Sequence, residues 1–157
     1  MVMPYMVMPC PYIIYSYMSF HRFTKKNVSP HEAEIYQRAQ SIMDCVPRFI
    51  SYDPETMTMI TEKIPQMNIA DMYGESGQDM SIGLWKEIKD IIIGLYQNGI
   101  EYSDITGYNF IEHAGKVWII DFGHAQYIQD IEKNGNQVND FVIDFMNGIY
   151  KWNPDFR

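Results

Sequence analysis

Apolar positions along this chain follow two rhythms, short dense runs and stripes three or four residues apart. Tyr12 to Phe20, YIIYSYMSF, is short and crowded with aromatic and β-branched side chains, which suits a pleated strand better than a helix. Tyr5 to Met8 is its candidate partner. The stretch SPHEAEIYQRAQSIM opens with Ser29 as N-cap, Pro30 at the first helical position and Glu32 three residues after the cap, and Ile35, Ala39 and Ile42 then recur at helical spacing. Phe49 to Tyr52 and Met57 to Thr61 read as a hairpin around the turn Asp53 to Glu55.

Polar residues and glycines fill Asn68 to Met80, as in a loop or a short helix with a linker. The clearest helix follows, capped by Ser81, striped by Trp85, Ile88, Ile92 and Leu95, and stopped at Gly99. Two short strands, Tyr108 to Glu112 and Val117 to Ile120, flank HAGK, and an amphipathic helix is expected over Val138 to Tyr150. Strands grouped early with helices behind them predict an α+β chain, its core including Ile88, Ile92, Leu95, Ile119, Ile120, Phe141 and Phe145.

Composition narrows the function. The chain has 157 residues, 46% of them hydrophobic, enough for one domain with a core. A net charge of -8, with no basic run beyond Lys25-Lys26, disfavours a nucleic-acid partner. The apolar start is broken by Pro4, Pro9 and Pro11 and falls short of the roughly 18 apolar residues that span a bilayer, so no membrane partner is expected and the reading is of a soluble, intracellular, cytoplasmic protein. Cys10 and Cys45 lack metal or redox spacing and read as buried free thiols, with a disulfide as the alternative. Four histidines without ligand spacing give no zinc site.

One stretch carries candidate chemistry. Phosphoryl transfer needs a carboxylate to orient the attacking hydroxyl, and an amide and a second carboxylate to hold Mg²⁺ on the phosphate oxygens. Asp104, Asn109 and Asp121 are of those types. YSDITGYN matches the pattern H-R-D-x-x-x-x-N from its Asp onward, and IIDFG matches an apolar strand ending in D-F-G. Over roughly Tyr12 to Ile128 the sequence thus resembles the protein-kinase-like superfamily, and in its economy the short kinase-like proteins of fungi and large DNA viruses.

The resemblance implies one kinase-like domain with a reduced N-terminal β-lobe and hinge over residues 1–64 and a truncated helical C-lobe over 65–157. It implies ATP and Mg²⁺ as cofactors and a protein or small molecule as acceptor, with Asp104 as base, Asn109 and Asp121 as metal ligands, and Gly123 giving freedom to the turn. Glu32, with Glu34 second, would pair a strand lysine. Thr61 would stand near the gatekeeper position, and the backbone of Glu62 to Ile64 would meet an adenine.

Several departures bear on activity. No glycine precedes Gly74, so no G-x-G-x-x-G loop exists, and no V-A-I-K supplies the lysine. His21 stands near its expected place, and Lys25 and Lys26 follow the expected strand. Tyr102 and Ser103 replace the His and Arg of H-R-D, and no A-P-E follows DFGHAQYI. Two functions stay open: a phosphotransferase acting on a hydroxyl, and an inactive pseudokinase serving as a binding or regulatory module.

Overall fold

Residues 21–129 and Trp152 are described by the structure, a computed structural model. β1 (Arg22–Lys25) and β2 (Phe49–Asp53) both pair antiparallel with β3 (Thr58–Glu62), giving the order β1-β3-β2. The β2–β3 turn is closed by Asp53, whose carboxylate accepts from Glu55 N at 2.9 Å and Thr56 Oγ1 at 2.8 Å, the local bonding that makes aspartate a turn former. Between β1 and β2 runs α1 (Pro30–Ile42), where the Ser29 hydroxyl accepts from Glu32 N at 3.1 Å and Ile35, Tyr36 and Ala39 face the core.

Past the sheet come a single-turn helix, α2 (Ile69–Tyr73), and α3 (Ile82–Gln97). The latter buries Leu84, Ile88, Ile91, Ile92, Leu95 and Tyr96. A fully buried Ile or Leu contributes about 1.5–3 kcal/mol, so this stripe anchors everything that follows. Gly99, at φ +80°, turns the chain from α3 into β4 (Ile100–Glu101). β5 (Phe110–His113) and β6 (Lys116–Ile119) form a second hairpin over Ala114 and Gly115, at φ 54° and 73°. β7 (Gln126–Tyr127) returns to pair with β4.

From α1 to β6 the helices and the two hairpins come in the expected order with local corrections, while β1 and the β4–β7 pair were not expected. Tyr108 and Asn109 lie in a 3-10 turn, Gly107–Asn109, ahead of β5. Ile120 is half-buried, because it faces a cavity instead of the core. The strand expected over Tyr12 to Phe20 and its partner, Cys10, the helix over Val138 to Tyr150 and the core residues Phe141 and Phe145 lie outside the described residues. Among the described residues no helix is long and apolar enough to cross a membrane, and no group of three His, Cys, Asp or Glu could hold a metal ion.

Candidate active site

The last residue of β1 brings the first charge into the site. Lys25 Nζ forms an ion pair with Glu32 and donates to Asp121 Oδ1 at 3.0 Å. Capping and pairing are compatible at Glu32: its backbone N–H serves the Ser29 cap, while its carboxylate, only 7% exposed, serves Lys25. A carboxylate that buried is costly without a cation, so Lys25 is what permits it there. Burial acts most strongly on Lys25 and would lower its pKa, but hydrogen bonds to Glu32 and Asp121 and the two charges outweigh it and raise the pKa above the ordinary lysine value.

Asp121 lies two residues past the end of β6, at φ 65°, a left-handed conformation uncommon for a side-chain-bearing residue. Gly123 N donates to Asp121 Oδ1 at 2.9 Å, and from beneath, the buried Tyr102 hydroxyl lies 2.6 Å from the Asp121 carbonyl and 3.0 Å from that of Ile120. Tyr102, which stands in the place of a histidine, thus holds the backbone that aims Asp121. Burial first, then the carboxylates of Asp121 and Asp104, push its phenol well above the usual tyrosine range, so it keeps the proton it donates.

Asp104 sits two residues further on, in a turn where Thr106 N donates to its carbonyl at 2.9 Å. The same carbonyl accepts from Asn109 Nδ2 at 2.9 Å, and Ile120 N donates to Asn109 O at 2.9 Å, tying this loop to the strand before Asp121. With its nitrogen anchored, Asn109 has Oδ1 as the atom to offer a cation. Gly107 allows the loop to lie against α2: a Cβ there would stand 2.8 Å from Ala70 N. The Asp104 carboxylate is buried, which raises its pKa, and His124 Nδ1 opposes that from 2.6 Å.

A cavity of about 340 Å³ lies between the sheet and these loops, lined among others by Phe23, Lys25, Thr61, Ile64, Asn109 and Asp121. A broader groove of about 690 Å³ holds Asp104, Ser103, His124 and His31. Asp104 and Asn109, joined by their hydrogen bond, therefore line one hollow each. The donor set suits Mg²⁺, which takes one or two protein oxygens and fills its shell with water and phosphate: Asp121 offers a 42% exposed carboxylate and Asn109 an amide oxygen.

The expected residues Glu32, Thr61, Glu62, Ile64, Asn109, Asp121 and Gly123 thus gather around Lys25, with three corrections. A strand lysine paired with Glu32 is present: β1 spans Arg22–Lys25, so Lys25 is within the strand and not beyond it, and the His21 carbonyl accepts from Lys63 N at 2.9 Å. In the segment expected to meet a base, Glu62 N and Lys63 N donate to Arg48 O and His21 O, and the Glu62 carbonyl accepts from Thr61 Oγ1 at 3.2 Å, so these three groups are engaged within the protein. Gly123 is not the left-handed residue of the turn; Asp121 is, and Gly123 supplies a donor and room, since a Cβ there would sit 3.1 Å from Asp121 Oδ1. From its place after Gly123, His124 reads as a surface or supporting residue and not as a ligand; its contact with Asp104 joins two loops, which nothing local in the sequence signals.

No family model matches the sequence. The chain is 27% identical over 128 residues to the KEOPS complex subunit Bud32 of Pyrococcus abyssi, covering 82% of this chain and 58% of that protein. It is 29% identical over 108 residues to a probable serine/threonine-protein kinase BUD32 homolog of Archaeoglobus fulgidus, covering 68% of this chain and 51% of the relative. A 60-residue stretch is 37% identical to a probable bifunctional tRNA threonylcarbamoyladenosine biosynthesis protein of Methanospirillum hungatei, covering 38% of this chain and 12% of that one. The chain thus spans little more than half the length of the two Bud32 relatives. In fold it is similar to the Rad53 kinase domain, with a TM-score of 0.52 at 16% identity over 76% of this chain and 51% of the other. WbdD bound to a kinase inhibitor gives 0.50 at 16% identity over 93% and 32%. Sheet, helix and loops arranged as described, with these likenesses in sequence and fold, make the chain a member of the protein-kinase-like superfamily with a reduced lobe structure.

Proposed function

We propose that the chain is an ATP- and Mg²⁺-dependent phosphotransferase that moves the γ-phosphoryl group to a hydroxyl of a protein or small molecule. The observation that carries this reading is Lys25, held between Glu32 and Asp121 at the mouth of a cavity that Asn109 also lines. In this reading the sheet and α1 act as the reduced N-lobe up to residue 64, and the rest as the C-lobe. The base would lie between Thr61 and Ile64, and Lys25 Nζ would grip the phosphates nearest it. Asp121 and Asn109 would hold Mg²⁺, which when bound neutralises charge on the transferring phosphoryl group. Asp104, lining the neighbouring groove, would orient the acceptor hydroxyl and receive its proton.

The lack of any glycine before Gly74 favours the alternative of a pseudokinase module, but Lys25 removes the other half of that case. The relatives' names support a setting in tRNA modification with a protein partner, and a net charge of -8 suits protein better than RNA as the surface touched. The test is radiolabelled γ-phosphate transfer or release with Mg²⁺: Asp104→Asn should cut turnover by about 10² or more with ATP binding retained. Equal turnover in the two proteins contradicts the proposal.

A further inference from the structure

We propose that His124 is the positioning residue for Asp104, an assignment that rests on the phosphotransfer reading above. A carboxylate only accepts, so the 2.6 Å contact from His124 Nδ1 to Asp104 Oδ2 is an Nδ1–H donor bond. It occupies one carboxylate oxygen and leaves the other for an acceptor hydroxyl in the groove that both residues line. The bond also spans two loops. His124 lies three residues past Asp121 and Asp104 five before Asn109, so the pair ties the loop that aims the base to the loop that would hold the metal.

A second cross-link runs beside it, Ser103 Oγ to the His124 carbonyl at 3.3 Å, and Ala125 N donates to Phe122 O at 3.1 Å, fixing the turn that presents the imidazole. Ser103 stands where the kinase pattern has arginine, so the side chain beside the base is not basic and the cation-capable neighbour comes from across the gap. The His124 side chain is 65% exposed, and a polar contact at such a position adds little to stability. Its consequence is therefore expected in turnover.

The chain of 157 residues is assayed for Mg²⁺-ATP hydrolysis, with water as acceptor, alongside ATP binding and thermal unfolding. His124→Ala should lower kcat roughly ten-fold, the scale of one charge-assisted hydrogen bond, with the KM for ATP and the unfolding temperature unchanged. His124→Asn should restore most of the loss, because its amide N–H can stand near the place of Nδ1. In an Asp104→Asn background, His124→Ala should add nothing. An unchanged kcat, or an equal fall in that background, overturns the proposal. Independently of turnover, imidazole ¹⁵N spectra should show His124 protonated at Nδ1 in the wild type and shifted toward Nε2 in Asp104→Ala. An Nε2-protonated wild type overturns the assignment. A wild type that is Nδ1-protonated yet hydrolyses no ATP supports the pairing and contradicts the phosphotransfer reading instead.

Discussion

Lys25 Nζ lies 3.0 Å from Asp121 Oδ1 across 96 positions of sequence, joining the edge strand of the sheet to the loop that follows the second hairpin. Replacing Lys25 with Met leaves Glu32 buried without its cation. With Lys25 itself 26% exposed, the loss is discounted for solvent and set at about 1–2 kcal/mol. Denaturant unfolding should show that loss, and Glu32→Gln in the same protein should recover part of it, because the two side chains are coupled. ATP binding should not recover. Additive losses in the double variant would show that the pair is not a unit.

Gly107 is required by space and not by φ, since a Cβ there would meet Ala70 N at 2.8 Å and α2 cannot retreat without disturbing its Asn68 cap. Gly107→Ala should cost about 1–3 kcal/mol by overpacking. The same change at Gly115, where nothing lies within 4 Å but φ is +73°, should cost only the strain of its turn. Comparison of the two unfolding midpoints checks this, and turnover should fall in Gly107→Ala alone.

Cys45 is buried, and burial first, then the Asp44 charge, push its thiol up to about 11. At pH 8 its thiolate should be a few hundred-fold scarcer than an ordinary thiol's, on the order of 10², so iodoacetamide should label the Cys45 peptide slowly until denaturant is added. The sign for stability follows: a raised folded pKa gives a contribution complete below about 8.5 and lost as pH rises toward 11. Rapid native labelling, read by mass spectrometry of that peptide, would contradict the burial.

The places of Glu32, Asp104, Asn109 and Asp121 in the chain were legible because local backbone sets them: a capped helix start, a tight turn and the bend just after an apolar strand. Lys25 was not. Its strand, RFTK, is exposed at three of four positions, so it has none of the apolar alternation that marks a half-buried strand, and the aromatic run before it drew the assignment. Tyr108 read as strand because aromatics favour pleated surfaces, while the chain spends it on a turn that sets Asn109 under Asp104. Tyr102 looked like a loss from the H-R-D pattern, and its hydroxyl instead secures Asp121.

The central claim, that Asp121 and Asn109 hold Mg²⁺ on the phosphates of ATP beside Lys25, is tested most directly by thermal unfolding with ATP, with and without Mg²⁺, in the wild type and in Asp121→Asn. The wild type with Mg²⁺ should be stabilised by about 2.7 kcal/mol at ATP a hundred times its dissociation constant, and part of that should vanish when Mg²⁺ is withheld. Asp121→Asn should lose the Mg²⁺-dependent part alone, since an amide cannot offset the cation's charge as a carboxylate does. An equal Mg²⁺-dependent shift in both proteins, or no shift in the wild type under either condition, would contradict it.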